Sequence, residues 1–194
     1  MIVIDIIFKS IQLNRPYDSR FVTVAEPKPH IHANSSALME HRVTVMGVRG
    51  DCPFEKAVEH FTSLGGEVIL LNPLYVYGKD HVLSAVEHAE RAFRNGTHRS
   101  KTFLTETIMY IAGERQAGRA LKKMRPVSDS EPRIAVLFDI DDPRLEDIGL
   151  VRDDSIVGGT PEKAEAMGLD THGLDVTYDE LALELVAMLD VEKM

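Results

Sequence analysis

The sequence predicts an α/β or α+β protein in which helices pack against a small mixed sheet. Two observations predict this class. Short apolar strands alternate with segments of helical periodicity, and three helical segments follow one another in the middle of the chain, over residues 79–124. Three consecutive helices are not expected in a regular βαβ series. We therefore expect three to five strands with helices packed against them.

The N-terminal segment, residues 1–41, differs from the remainder in composition. Most of it is rich in proline, serine, asparagine and histidine and lacks periodicity. We interpret residues 1–41 as a loosely ordered N-terminal extension and residues 42–194 as a single domain. Two alternatives stay open: residues 2–8 could add a strand to the sheet, and Met39 could be the true start.

Four segments predict strands. Residues 42–48 are rich in β-branched side chains, whereas residues 67–72 and 133–138 are apolar without alternation. An apolar run without alternation is typical of a strand buried on both faces. A further short strand is expected near residues 155–157.

Helices are predicted between these strands. Pro53 occupies a position typical of a first-turn proline, and Gly65-Gly66 ends the helix that follows it. In the middle block, apolar residues recur at helical spacing three times, and the breaks between the helices fall at Asn95-Gly96 and Ala112-Gly113.

Two more helices complete the prediction. Thr160-Pro161 starts a helix that ends at Gly168, and Thr177 with Glu180 matches a capping box ahead of the last helix. We find no internal repeat or low-complexity segment.

The charge is distributed unevenly along the chain. Residues 91–125 hold nine basic and two acidic residues, a net charge of +7, whereas residues 126–194 hold 5 basic and 18 acidic residues, a net charge of −13. The whole chain carries −9. A cationic helical block in an acidic protein is either a set of solvated helix faces or a local site for a polyanion.

Composition restricts the remaining classes. Cys52 is the only cysteine, so an intramolecular disulfide and a cysteine-rich metal site are excluded, which suits a reducing cytoplasm. The apolar N-terminus lacks the basic region of a signal peptide, and no apolar run approaches the roughly 20 residues of a membrane helix. We expect no membrane partner, no cofactor and no metal.

Two groups of polar residues are candidates for chemistry. Asp139, Asp141 and Asp142 follow the strand predicted over residues 133–138, where carboxylates can hold a metal; an ordinary acidic loop is the alternative. Arg115 and Gln116 open the third helix of the cationic block. Arginine offers a fork for phosphate, and glutamine can pair with a base edge or simply cap the helix.

Four segments, residues 47–50, 80–89, 100–124 and 179–191, share a pattern with one known family. Through them the sequence resembles the small accessory subunits of the KEOPS complex, the TPRKB-like, kinase-subunit-binding family. Residues 47–50 resemble the family's opening strand and turn, and residues 80–89 its histidine-led helix. Residues 100–124 resemble its signature helix pair, including Glu106, Gly113, Arg115 and Gln116, and residues 179–191 its C-terminal helix. Two positions depart from the family pattern: Lys101 replaces a common asparagine, and Arg125-Pro126 stands where a glycine usually follows.

The resemblance implies a non-catalytic subunit that binds the kinase/ATPase subunit of KEOPS. That complex makes threonylcarbamoyladenosine on tRNAs that read codons starting with A. Archaeal members also bind the single-stranded 3′ end of tRNA, in agreement with the cationic block. The competing hypothesis is a small metal-dependent α/β phosphoesterase or nucleotide-binding enzyme that uses Asp139, Asp141 and Asp142.

We expect the tRNA-binding residues to be the basic or polar ones near the helix starts: Lys79, His81, Arg99, Lys101, Arg115 and Gln116. The chain has no tryptophan, so a platform for base stacking would come from Tyr75, Tyr77, Phe103 or Met124. We also expect the signature helices to expose an apolar face that docks the kinase subunit.

Overall fold

The computed structural model describes residues 41–191 of the 194-residue chain. The expectations for residues 1–40 lie outside this range. The strands are β1 (Val43–Arg49), β2 (Glu67–Leu71), β3 (Arg133–Phe138) and β4 (Val151–Arg152). The helices are α1 (Phe54–Ser63), α2 (Gly78–Arg94), α3 (Phe103–Ala112), α4 (Ala117–Met124), α5 (Pro161–Met167) and α6 (Tyr178–Val191).

The four strands form one sheet in the order β2-β3-β1-β4. The α+β class is confirmed, but every neighbouring pair is antiparallel, so the sheet is not mixed. β1 and β2 run parallel to each other and are separated by β3, which inserts between them. A strand–helix–strand order, as in β1-α1-β2, is typical of two parallel strands. The strand between them, β3, begins more than 60 residues after the end of β2.

Both faces of the sheet are covered. On one face, Val45, Ile69 and Val136 pack against α2, α3, α4 and α6. On the other face, Val68 and Leu137 pack against α1 and the segment that follows β3. Because successive side chains of a strand point to opposite faces, burial on both sides explains why β2 and β3 show no alternation, as the sequence predicts.

Local signals placed most of the helix ends correctly. The Thr177 hydroxyl accepts from the Glu180 N–H (3.2 Å), and the Glu180 carboxylate accepts from the Thr177 N–H (2.7 Å), so the predicted capping box is confirmed. The prediction of a strand near residues 155–157 is wrong. Asp154–Ile156 forms a 3₁₀ turn, because the Asp153 side chain accepts from the Ser155 N–H (3.1 Å) and caps it.

Within residues 41–191, no helix is long and apolar enough to cross a membrane.

Candidate nucleic-acid interface

The turn between α3 and α4 has a fixed shape. Gly113 has a φ of 61°, and the Glu114 N–H donates to the Met109 carbonyl (3.0 Å), which closes α3 with a Schellman motif. A methyl group on Gly113 would lie 2.7 Å from Leu185 Cδ1 on α6. Glycine is therefore favoured by the left-handed backbone, and a larger residue here would also displace the Leu185 side chain of α6.

An open pocket of about 450 Å³ lies at this turn. It contains three guanidinium groups and a single carboxylate, and its lining residues are Arg99, Gly113, Glu114, Arg115, Gln116 and Arg119. The three arginines are exposed. Guanidinium groups donate in a planar fork that matches phosphate oxygens, so the pocket is suited to an anion carrying more than one charge.

Gln116 contributes an amide group to this pocket. It is the N-cap residue of α4, and its side chain makes no capping hydrogen bond to the described residues. Capping by the Gln116 side chain, the alternative left open by the sequence, is therefore not observed. The amide offers both a donor and an acceptor at the pocket wall.

Glu106 explains how Arg99 reaches the pocket from a different loop. Its carboxylate, fully buried in α3, accepts from the Arg99 N–H (3.0 Å) and the Ser100 N–H (2.7 Å). Hydrogen bonds to a carboxylate are about twice as strong as neutral ones. Glu106 therefore fixes the α2–α3 loop against α3, beside the start of α4.

The structure brings together three of the six residues expected from the sequence, Arg99, Arg115 and Gln116. Arg119, which also lines the pocket, was missed as a site residue; it lies in the first turn of α4, and its N–H donates to the carbonyl of the N-cap residue Gln116 (3.0 Å). Lys101 is exposed in the same loop as Arg99 but does not line the pocket.

The other two expected residues lie elsewhere. Lys79 is ion-paired with Asp154 (Nζ to Oδ2, 3.4 Å) and does not line the pocket. His81 is only 1% exposed, so its side chain cannot reach an external polyanion. The sequence contained a signal for this burial, because His81, Ala85 and Ala89 share one face of α2.

The His81 ring is held neutral. Its Nδ1 accepts from the Tyr77 N–H (3.2 Å), which places the ring proton on Nε2. Burial lowers the pKa of His81 to about 4; the nearby Ile111 carbonyl opposes this shift, and Lys123 adds to it. Nε2 forms no hydrogen bond of ordinary geometry with the described residues.

The residues expected to stack bases all contact other parts of the protein, although Tyr75, Tyr77 and Phe103 are partly exposed. Met124 is buried, and the Tyr75 ring lies 5.3 Å from the Lys123 ammonium. The Phe103 ring packs edge-on against Phe138, with centroids 5.6 Å apart. Tyr77 lies so close to Gly159 that a methyl group there would approach its ring to 2.3 Å.

The three aspartates after β3 do not converge on one point. Burial would raise the pKa of Asp139, but the His41 ring and the Arg42 N–H hold it below its ordinary value. Asp141 pairs with the Arg42 guanidinium (2.8 Å), and Asp142 accepts from the Arg144 N–H (3.2 Å). Residues 41–191 contain no group of three or more His, Cys, Asp and Glu side chains placed to hold a metal ion.

A second surface lies on α6. Its buried side carries Ala182, Val186 and Leu189, whereas Leu183, Met188 and Val191 are exposed. The apolar face expected on the signature helices is not found on α3, because every residue from Leu104 to Ala112 is buried. The apolar residues left uncovered in this region belong to the C-terminal helix.

Polar contacts hold α6 in place. The Asp190 carboxylate accepts from the Tyr110 hydroxyl of α3 and from Arg91 of α2 (3.0 Å), and it pairs with the His88 ring (2.7 Å). Burial and the hydrogen bond to the Asp190 carboxylate raise the pKa of Tyr110. The exposed face of α6 is therefore presented on a fixed helix.

The fold and its two surfaces define an α+β binding protein, with a cationic pocket at one helix turn and an apolar face on the last helix. The chain belongs to the family of kinase binding protein CGI-121, whose family model matches residues 55–184. This match includes every residue that lines the pocket. No curated protein matches the chain. Membership supports an accessory, kinase-binding role.

Proposed function

We propose that this protein is a non-catalytic accessory subunit of the cytoplasmic KEOPS complex, which makes threonylcarbamoyladenosine on tRNA. In that role it binds the kinase/ATPase subunit of the complex and the single-stranded 3′ end of tRNA. The observation that carries the RNA-binding part is the pocket in which Arg99, Arg115 and Arg119 surround the Gln116 amide.

The distribution of charge favours a confined RNA site. The pocket belongs to a segment with a net charge of +7, whereas residues 126–194 carry −13. A polyanion is attracted to the first and repelled by the second, so it should remain at the α3–α4 turn. A single-stranded tail fits an open pocket better than a duplex does, because its phosphates and base edges are accessible together.

The geometry gives an expected number of phosphate contacts. Three guanidinium groups can neutralise about three phosphates, and each contributes about 0.7 to the salt dependence of single-strand binding. The logarithm of affinity should therefore fall with the logarithm of salt concentration with a slope of about −2. Between 50 and 200 mM salt, this slope corresponds to a loss of about 20-fold.

The test compares a tRNA with the same tRNA lacking its 3′ tail. We expect wild-type protein to bind only the intact tRNA. The double variant Arg115→Gln/Arg119→Gln should reduce the slope to about −0.7, so its affinity falls only about threefold over the same salt range. The matched control is Lys79→Gln/Arg152→Gln, which removes two positive charges at the ion pairs of Asp154.

Three outcomes would contradict the RNA-binding proposal. They are equal binding of the truncated tRNA, an affinity independent of salt, and a double variant that binds as the wild type does. Weakened tRNA binding by the control variant would instead indicate that Lys79 contributes to the RNA site, as expected from the sequence.

The kinase subunit is proposed to dock on the exposed face of α6. Family membership identifies the class of partner, and this face carries the apolar residues Leu183, Met188 and Val191. Glu180 and Glu184 are exposed on the same helix. On the helix surface they lie between Leu183 and Met188, so the complementary kinase surface should combine apolar and basic groups, whose charges set the orientation of docking.

Introducing a charge at Met188 separates the two binding activities. Met188→Glu should weaken binding of the kinase subunit at least 100-fold and leave tRNA binding unchanged, because an unpaired charge would be buried in the interface. Glu184→Gln is the control on the same helix. Retention of kinase binding by Met188→Glu would show that the kinase docks elsewhere.

A further inference from the structure

The α2–α3 loop carries an exposed aromatic ring, that of His98, whereas the residues that line the pocket have no aromatic side chain. His98 is exposed, and its imidazole stacks on the Phe93 ring with centroids 4.0 Å apart and planes 11° from parallel. One face of the imidazole is therefore covered by Phe93. The exposed surface of the side chain lies on its other face and its edges.

This ring is backed by a column of aromatic contacts that leads into the core. Phe93 meets Phe103 edge-on at 6.2 Å, and Phe103 meets the buried Phe138 edge-on at 5.6 Å. Edge-on aromatic pairs of this kind are favourable beyond the apolar area that they bury. The ring is thus supported from beneath by the hydrophobic core.

Hydrogen bonds also fix the orientation of the ring. His98 Nδ1 lies 2.9 Å from the Ser100 carbonyl. A carbonyl can only accept, so Nδ1 carries the proton and Nε2 is left as an acceptor in the neutral ring. The Ser100 N–H is in turn held by the buried Glu106 carboxylate at 2.7 Å.

The position of the loop relates this ring to the pocket. Arg99, the next residue along the chain, lines the pocket. Consecutive Cα atoms are only about 3.8 Å apart, so the backbone that carries the ring lies beside the pocket. Arg94 and Lys101, both exposed, lie in the same segment and add positive charge. A flat, preorganised ring beside guanidinium groups is the arrangement with which proteins hold single-stranded nucleic acids.

We propose that His98, stacked on Phe93, is the platform for a nucleobase of a single-stranded RNA whose phosphates occupy the neighbouring pocket. The proposal rests on the proposed RNA-binding function and adds a specific contact to it. The base would cover the open face of the imidazole, and the ring would give affinity without reading sequence, since every base has a flat face.

Two substitutions separate stacking from a merely structural role of the loop. His98→Phe keeps a ring and loses the hydrogen bond to Ser100. His98→Asn loses the ring and keeps a side-chain N–H donor near the position of Nδ1. The probe is an acceptor-stem hairpin with a single-stranded 3′ tail, together with versions in which one tail nucleotide at a time is abasic.

We expect His98→Phe to bind the hairpin within about threefold of wild type. His98→Asn should lose about 5- to 150-fold, which corresponds to about 1–3 kcal/mol for one stacked base. One abasic position should weaken wild-type binding by a similar factor and have little further effect on His98→Asn, because both changes remove the same contact. The salt slope should change little in either variant.

The opposite order, with His98→Asn binding as wild type and His98→Phe weakened, would overturn the proposal and leave the histidine as a loop clamp. Equal binding by all three proteins would also overturn it, while the pocket variants would still test the RNA function by themselves. If wild-type protein does not bind the hairpin, the RNA-binding function fails and this inference fails with it.

Discussion

The buried His81 makes the stability of this protein depend on pH in a defined way. In the folded state its pKa is lowered to about 4, whereas a histidine in the unfolded chain titrates near 6.5. Between these values the unfolded state binds more protons than the folded state. Stability is therefore complete above about pH 7 and is lost as the pH falls through 6.5.

The magnitude follows from the two pKa values. Lowering the pH from 7 to 5 should cost about 2 kcal/mol through His81 alone, because the unfolded ring is almost fully protonated at pH 5 and the folded ring is not. For a protein of this size, that loss lowers the melting temperature by about 4–8 °C.

The measurement is urea unfolding of wild type and His81→Asn at pH 7 and pH 5. Asparagine retains an acceptor for the Tyr77 N–H but does not titrate. The variant should be less stable at pH 7 and should lose about 2 kcal/mol less than wild type on acidification. His88, whose pKa is also lowered by burial, contributes equally to both proteins and cancels in the comparison.

His98→Asn serves as the control, since it makes the same substitution at an exposed histidine and keeps the buried His81. The reasoning is refuted if His81→Asn keeps the full pH dependence of wild type, or if the His81 ring titrates near 6.5 in an NMR experiment.

Three further predictions concern the loop, catalysis and the N-terminal segment. Glu106→Gln should lower the free energy of unfolding by about 1–3 kcal/mol and weaken RNA binding, because two backbone amides lose a charged acceptor; unchanged melting and unchanged binding would argue against its role in holding the loop. The purified protein should show no metal-dependent hydrolysis of nucleotides or phosphoesters, and a robust activity abolished by Asp141→Asn would support the enzyme hypothesis instead. A chain starting at Met39 should melt cooperatively, close to the full-length protein in urea and heat, whereas loss of solubility would show that residues 2–8 contribute to the core.

The sequence by itself determined the elements whose boundaries are set by local interactions. The third strand was predicted at residues 133–138 and is found at Arg133–Phe138. The turn at Gly113 and the capping box of Thr177 and Glu180 were predictable for the same reason. The turn and the capping box depend on residues within five positions of one another, where backbone geometry and side-chain type decide the outcome, whereas the strand is marked by its unbroken apolar run.

The candidate site was predictable only in part. Arg115 and Gln116 are adjacent at a helix start, so a charged turn could be identified from the sequence. Whether the His81 side chain is exposed depends on which face of α2 packs against the core, and in the structure this side chain is buried. A histidine is compatible with either face of a helix, so residue type alone could not decide.

Only the tertiary structure decided which distant residues meet. β3 inserts between β1 and β2, and the buried Glu106 carboxylate draws the Arg99 loop to the start of α4. His98 likewise becomes a platform only because α2 and α3 bring Phe93 and Phe103 beneath it. These contacts are selected by the packing of whole helix faces against the sheet, a property that no local segment of the sequence contains.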